Sequence, residues 1–244
     1  MRRVRRVIGG AALFLVLLAL AFALYAMLRH RPQDLPWTPL DLGEQPGLFT
    51  GRKLAGLGKD FAKCRALLDR AGIKYDVLPE VSAGEHCGYA DGVRFAGGGP
   101  RRIDFLPADL RIACPVASAL AMWEWNVVQP AAIKHFGKRV SAIEHLGSYN
   151  CRHIVGNGEG GWSQHSTADA VDVSAFRLSD ATRITVKRDW MGADPAKAAF
   201  LREVRSGACG LFTIVLSPDY NAAHADHLHM DEAPWGELGW RGCH

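Results

Sequence analysis

Three short clusters of histidine, carboxylate and arginine hold whatever chemistry this sequence can do. His224, His227 and His229 stand within six residues, in the run His224-Ala225-Asp226-His227-Leu228-His229. Along a strand alternate residues share a face, so His227 and His229 would project together. Two imidazoles offered side by side are what a divalent transition ion takes from a protein, although surface or core histidines can show the same spacing. His165 and Asp172, in a second cluster that also contains Ser163, are seven positions apart. That odd spacing puts them on opposite faces of a continuous strand, so they can share an ion only if the chain turns between them. Ser166-Thr167 suits such a turn. Asp172 lies in Ala170-Val171-Asp172-Val173; it is either a solvated or capping carboxylate, or a buried one whose cost a neighbouring cation removes. The third feature is Arg152, ending Tyr149-Asn150-Cys151-Arg152. It is a surface arginine or a planar fork for a substrate carboxylate or developing oxyanion.

Several elements must position these groups. Apolar residues Phe61, Cys64, Leu67 and Leu68 form one stripe of a helix over 59–70, closed by Gly72. The glycine-rich stretch 88–107 predicts one or two hairpins. Residues 115–136 read as the main core helix, with Val116, Leu120, Trp123, Val127 and Val128 near one face and Gly137 at its end. Pro130 should kink or split it. Strands are expected at 140–149, 172–176 and 211–216, with a helix including 200–204. Together these predict an α+β domain: a small, mostly antiparallel sheet with packed helices.

Residues 7–28 carry no charge. As a helix they span roughly 33 Å, enough for a hydrocarbon core of about 30 Å. Arg2, Arg3, Arg5 and Arg6 precede them, and Arg29 and Arg31 follow. The more basic end stays in the cytoplasm, so the remainder emerges on the far side. A cleaved signal peptide is the alternative, with Ala21-Phe22-Ala23 as a loose cleavage site; both readings export the domain. The expected layout is a basic stub at 1–6, an anchor at 7–28, a proline-rich extended linker at 29–50 and one domain at 51–244. The net charge of +4 belongs to the topology signal. Without the six arginines of residues 1–31, 23 basic residues face 25 acidic ones, which gives no hint of a nucleic-acid surface. Cys64, Cys87, Cys114, Cys151, Cys209 and Cys243 all follow the anchor, and no CxxC pair suggests a zinc knuckle. An even number in an exported domain reads as up to three disulfides, with free thiols as the alternative. Cys64–Cys87, the shortest separation, and Cys151–Cys209, bracing the site, are the expected pairs.

His165-x-x-Ala168-x-Ala170-x-Asp172, with Ser163 before it, resembles the Ser-x-His-x-x-Gly-x-Ala-x-Asp motif of zinc D-Ala-D-Ala carboxypeptidases and L-alanyl-D-glutamate endopeptidases. Asp226-x-x-His229 is similar to their second motif, and His227-x-His229 to that of related murein endopeptidases. Gly147-Ser148-Tyr149-x-Cys151-Arg152, Ser163-x-His165 and Asp226-His227-x-His229-x-Asp231 together resemble bacterial extensin-like C-terminal domain proteins, over roughly residues 60 to 244. Ala168 departs from the peptidases' usual glycine, and Asp226 from the carboxypeptidases' glutamate. The resemblance implies a zinc ion on His165, Asp172 and His229 with one position left for water. It implies Asp226 as general base, with His227 as the alternative if the strand already includes Asp226, and His224 as a bystander. Arg152 and Ser163 would bind substrate, a stem-peptide bond of peptidoglycan. The expected setting is a single-pass protein of the bacterial inner membrane with its C-terminal domain in the periplasm. A non-catalytic wall-peptide-binding module and a structural envelope protein with a zinc site are the rival readings.

Overall fold

The computed structural model describes residues 2–29, 31–97, 104–154, 161–233 and 241–244. Its helices are α1 (Arg2–Arg29), α2 (Thr50–Ala55), α3 (Phe61–Arg70), α4 (Cys114–Trp123), α5 (Gln129–Phe136), α6 (Val186–Asp189) and α7 (Pro195–Ala208). Its first six strands are β1 (Tyr75–Val77), β2 (Val81–Ser82), β3 (Gly88–Tyr89), β4 (Gly92–Phe95), β5 (Phe105–Leu106) and β6 (Ile112–Ala113). The other six are β7 (Val140–Gly147), β8 (Ala170–Leu178), β9 (Arg183–Thr185), β10 (Ile214–Leu216), β11 (Leu228–Asp231) and β12 (Gly242–Cys243).

The fold is α+β, as the alternation of patterns predicts. The main sheet runs β12-β10-β11-β8-β7-β5, with β9 also on β8. Its pairs are antiparallel except β5–β7 and β10–β12. Period-two alternation decides what each face carries. Val171, Val173, Phe176 and Leu178 of β8, with Leu228 and Met230 of β11, join the core formed with α3, α4 and α7. Asp172 and His229 therefore point to the other face. The smaller sheets, β1-β4-β6 and the β2–β3 pair, lie outside this one.

The helices follow their sequence signals with one shift. Asp60 caps α3 by accepting from the Lys63 amide at 2.9 Å, and the stripe Cys64, Leu67 and Leu68 is buried. The expected helix at 115–136 breaks earlier than Pro130. A π-helical turn, Glu124–Val128, separates α4 from α5, and Pro130 falls in the first turn of α5. Proline fits there because its missing amide and fixed φ cost little at a helix start. Gly207 of α7 faces this turn so closely that a Cβ would stand 2.3 Å from a methyl of Val127. Gln129 also ties α5 to the first residue of β7, donating to the Val140 carbonyl at 2.8 Å and accepting from its amide at 3.1 Å.

Helix α1 is apolar and long enough to cross a membrane, with its window Arg5–Ala23 wholly unburied. The proline-rich segment after it is not extended along its whole length. Pro32–Asp34 makes a 3-10 turn, and Leu40 and Leu42 are buried in the core. Two leucines at i, i+2 anchor it despite a composition that reads as linker. The β2–β3 and β4 strands bear out the hairpin expectation in part; residues 98–103 lie outside the described residues.

All six cysteines pair, but not as expected. The bonds are Cys64–Cys114, Cys87–Cys151 and Cys209–Cys243, replacing Cys64–Cys87 and Cys151–Cys209. Sequence separation is a poor guide because pairing follows which Cα atoms the fold brings within about 4.4–6.8 Å. Cys64 on α3 meets Cys114 at the start of α4 where those helices pack. Cys151 is drawn to the β2–β3 hairpin, and Cys209 ends α7 beside β12.

Candidate metal centre

Asp172 and His229 are directly opposed residues of β8 and β11. The bond from His229 Nδ1 to Asp172 Oδ1 is 2.9 Å. His165 reaches the same point from a 3-10 turn, Gln164–Thr167, which supplies the change of direction that the odd spacing requires. Ser163 caps that turn, its Oγ accepting from the His165 amide at 3.3 Å. Ala168 ends it in the left-handed region, φ 60, a conformation glycine adopts without a Cβ penalty. His165 Nε2 lies 3.2 Å from Asp172 Oδ2 and 3.2 Å from His229 Nδ1. One ligand atom from each of the three residues falls within 4.8 Å of the others.

Both imidazoles are held from behind. His165 Nδ1–H donates to the Ser148 carbonyl at 2.6 Å. A carbonyl can only accept, so in the neutral ring Nε2 is the lone-pair nitrogen and faces the cluster. Ser148 is carried to this place by the register shifts in β7 between Glu144 and Gly147. Nearby, the Asn150 amide donates to the His165 carbonyl at 2.8 Å. His229 Nε2 faces Asp231 Oδ2 at 3.5 Å, and Asp231 is buried. Imidazoles that ligate metals are oriented in this way, by an acceptor on the second ring nitrogen. The donor set of two imidazole nitrogens and a carboxylate oxygen fits zinc.

The charged groups of the cluster act strongly on one another. Burial works to raise the Asp172 carboxyl, but His165 and His229 outweigh it and hold it below the ordinary carboxylate range. Burial works to lower His229, yet the carboxylates of Asp172 and Asp231 lift it to about 9. Burial first, then the nearby His227 and His229 rings, push His224 down to about 4. Behind the site, burial first and then the charges of Asp91 and Asp231 raise Asp169 to about 6.

The three ligand candidates line a cleft of ≈ 540 Å³ together with Arg152, Ser163, His224 and His227. His227 turns its Nε2 toward Asp172 Oδ1 at 3.5 Å and binds Asp226 through Nδ1 at 2.9 Å. Asp226 lies in the turn before β11, as its proposed role demands, but His227 stands between it and the cluster. Arg152 follows Cys151 and its bond to Cys87, and its carbonyl accepts from the Ser163 amide at 3.1 Å. Residues 62–244 match the family described as extensin-like protein C-terminus. The chain belongs to that family. No curated protein and no solved structure matches it.

Two orienting groups of this family member stand inside the quoted motifs, yet the motifs assign them no role. Ser148 acts through its backbone carbonyl, for which side-chain spacing carries no signal. Asp231 does have one: it follows His229 at i+2, the same face of β11.

Proposed function

We propose that this extensin-like domain is a zinc-dependent peptidoglycan peptidase, held at the bacterial inner membrane by α1 with the domain in the periplasm. The observation that carries the reading is the convergence of His165, Asp172 and His229 on the wall of an open cleft, each imidazole held from behind. A closed structural site would bury its ion among four protein ligands. Here three ligands converge beside solvent-accessible space lined by a base and a cation.

Bound there, zinc would supply Lewis acidity, acidifying water and polarising a peptide carbonyl. His227 Nε2 is the nearer base: it takes a proton from the attacking water, and Asp226 on Nδ1 steadies the imidazolium so formed. The same proton passes to the leaving nitrogen as the C–N bond breaks, giving a carboxylic acid and an amine. Arg152 holds the substrate carboxylate or the developing oxyanion, and Ser163 offers a polar edge beside it. The substrate class, a stem-peptide bond of the wall, comes from the motif resemblance. The four arginines before the anchor favour export of the domain.

The test uses the full chain, purified in detergent without chelator. About one zinc per chain is expected, and none in His229→Ala. The wild type should release peptide fragments from purified sacculi, identified by mass, and His229→Ala should release none. Zinc without products on several wall chemistries would mean binding without hydrolysis; absence of zinc would remove the site itself.

A further inference from the structure

We propose that Trp37 and Leu48 seat the segment after α1 in the headgroup layer of the membrane, so that the domain lies against lipid at a fixed height. The inference rests on the reading of α1 as an anchor. Trp37 is 76% exposed and Leu48 81%, in a segment where Leu40 and Leu42 are buried and Leu35 is half-buried. Their exposure is built in. Thr38 Oγ1 bonds to the Pro32 carbonyl and, at 3.0 Å, to the Leu35 carbonyl. Lys53 Nζ donates to Thr38 Oγ1 at 2.9 Å and to Gln33 Oε1 at 3.3 Å. The Leu48 amide donates to Asp34 Oδ1 at 2.8 Å, and the Phe49 amide to the Gln33 carbonyl at 3.2 Å. A Cβ on Gly47 would stand 2.5 Å from the Gln33 carbonyl carbon. Residues 32–38 and 47–53 are thus sewn into one block, and Trp37 projects from it between Pro36 and Pro39.

The occupant follows from the chain's path. Pro32 is three residues beyond Arg29, the end of α1, so the block begins at most about 11 Å from the helix end. The headgroup layer extends roughly 5–8 Å beyond the hydrocarbon on each side. Tryptophan concentrates in that layer, where its ring sits among acyl carbons and its N–H meets water or headgroups. Arg29 and Arg31, the latter 71% exposed, stand where lipid phosphates would be. A soluble protein partner would have no such reason to bind a block that begins three residues beyond a membrane helix.

The test places a polarity-sensitive fluorophore on a single added thiol, Trp37→Cys, Leu48→Cys or, for comparison, the equally exposed Met191→Cys. All six native cysteines are in disulfides, so the new thiol labels selectively. The full chain is reconstituted in phosphatidylcholine–phosphatidylglycerol vesicles. At positions 37 and 48, blue-shifted emission and at least about twofold stronger quenching by lipid-borne than by aqueous quencher are expected, the signature of the interface; position 191 should show the reverse. A chain that floats with the vesicles while positions 37 and 48 report water overturns this inference and leaves the anchor standing. Equal lipid quenching at 191 also overturns it, as general adsorption. A chain that does not float with vesicles sinks both.

Discussion

Asp231→Asn separates the orientation of a ligand from its identity. Asp231 contributes no ligand atom to the cluster, yet its Oδ2 faces His229 Nε2 at 3.5 Å while His229 Nδ1 faces Asp172 and His165. The substitution keeps the shape and removes the charge that fixes which nitrogen points at the ion. Loss of such an orienting partner costs about 10–100-fold in metal affinity, or roughly 1.4–2.7 kcal/mol at 1.36 kcal/mol per decade. Packing should not suffer equally, because the Asp231 charge also works against its neighbours, raising Asp169 and Glu232. The assay is zinc titration against a competing chelator, beside chemical denaturation of the metal-free protein. Weakened zinc binding with a fold of near-wild-type stability is the expected pair of results. Zinc affinity within twofold of wild type would refute the claim that Asp231 orients His229.

Two further outcomes follow from the same neighbourhood. Asp169 is raised from 3.8 to about 6 by burial, with Asp91 and Asp231 adding to it and Thr167 opposing. The folded state therefore prefers the proton: wild type loses up to about 3 kcal/mol as pH rises from near 4 through 6. Asp169→Asn should be more stable than wild type at pH 8 and no more stable at pH 4; denaturant midpoints across that range decide it, and a constant difference would count against the buried charge. Cys87 and Cys151 close a 64-residue separation next to Arg152. Replacing both with alanine should cost about 2–4 kcal/mol of stability and raise KM for wall fragments, by freeing Arg152, while zinc content stays near one.

The sequence made the ligand triad legible because its chemistry is local and its geometry simple. His229 and Asp172 each sit in a short apolar run that suits a strand, although Asp172 could also be read as a solvated or capping carboxylate, and the motif resemblance joined them to His165. The odd spacing to His165 demanded a turn, and the turn is there. The helix of 59–70 and the strand of 140–149 were legible for the same reason, within two residues at their ends. What was not legible depends on contacts between distant segments. Disulfide partners were misassigned because α3 packs on α4 and the β2–β3 hairpin on the Cys151 loop, facts absent from any single window. The π-turn at 124–128 lies against α7, where Gly207 approaches Val127, a contact no local window shows. Leu40 and Leu42 looked like linker because four prolines dilute their pattern. Asp226 and His227 were left as alternatives, and the reason is rotational: the strand begins at Leu228, so the two preceding side chains obey turn geometry, which spacing does not fix.

The role of His227 turns on one nitrogen. Its Nε2 is 3.5 Å from Asp172 Oδ1 and its Nδ1 binds Asp226 at 2.9 Å, a posture that suits both a general base backed by a carboxylate and a fourth ligand backed by one. The two roles differ in what His227→Ala removes. A base lost from an intact three-ligand site leaves zinc affinity near wild type and lowers kcat by about 10²–10⁴-fold. A ligand lost from a four-coordinate site lowers the affinity itself. Cobalt substitution reports the same distinction without turnover, since the visible spectrum of a site completed by water shifts with pH and with added carboxylate, and that of a site closed by protein does not. The cleft argues for the base, because His227 and Arg152 both line its ≈ 540 Å³ of open space. Unchanged cobalt spectra in the presence of small carboxylates, together with zinc loss in His227→Ala, would replace the proposed peptidase reading with that of a structural zinc site.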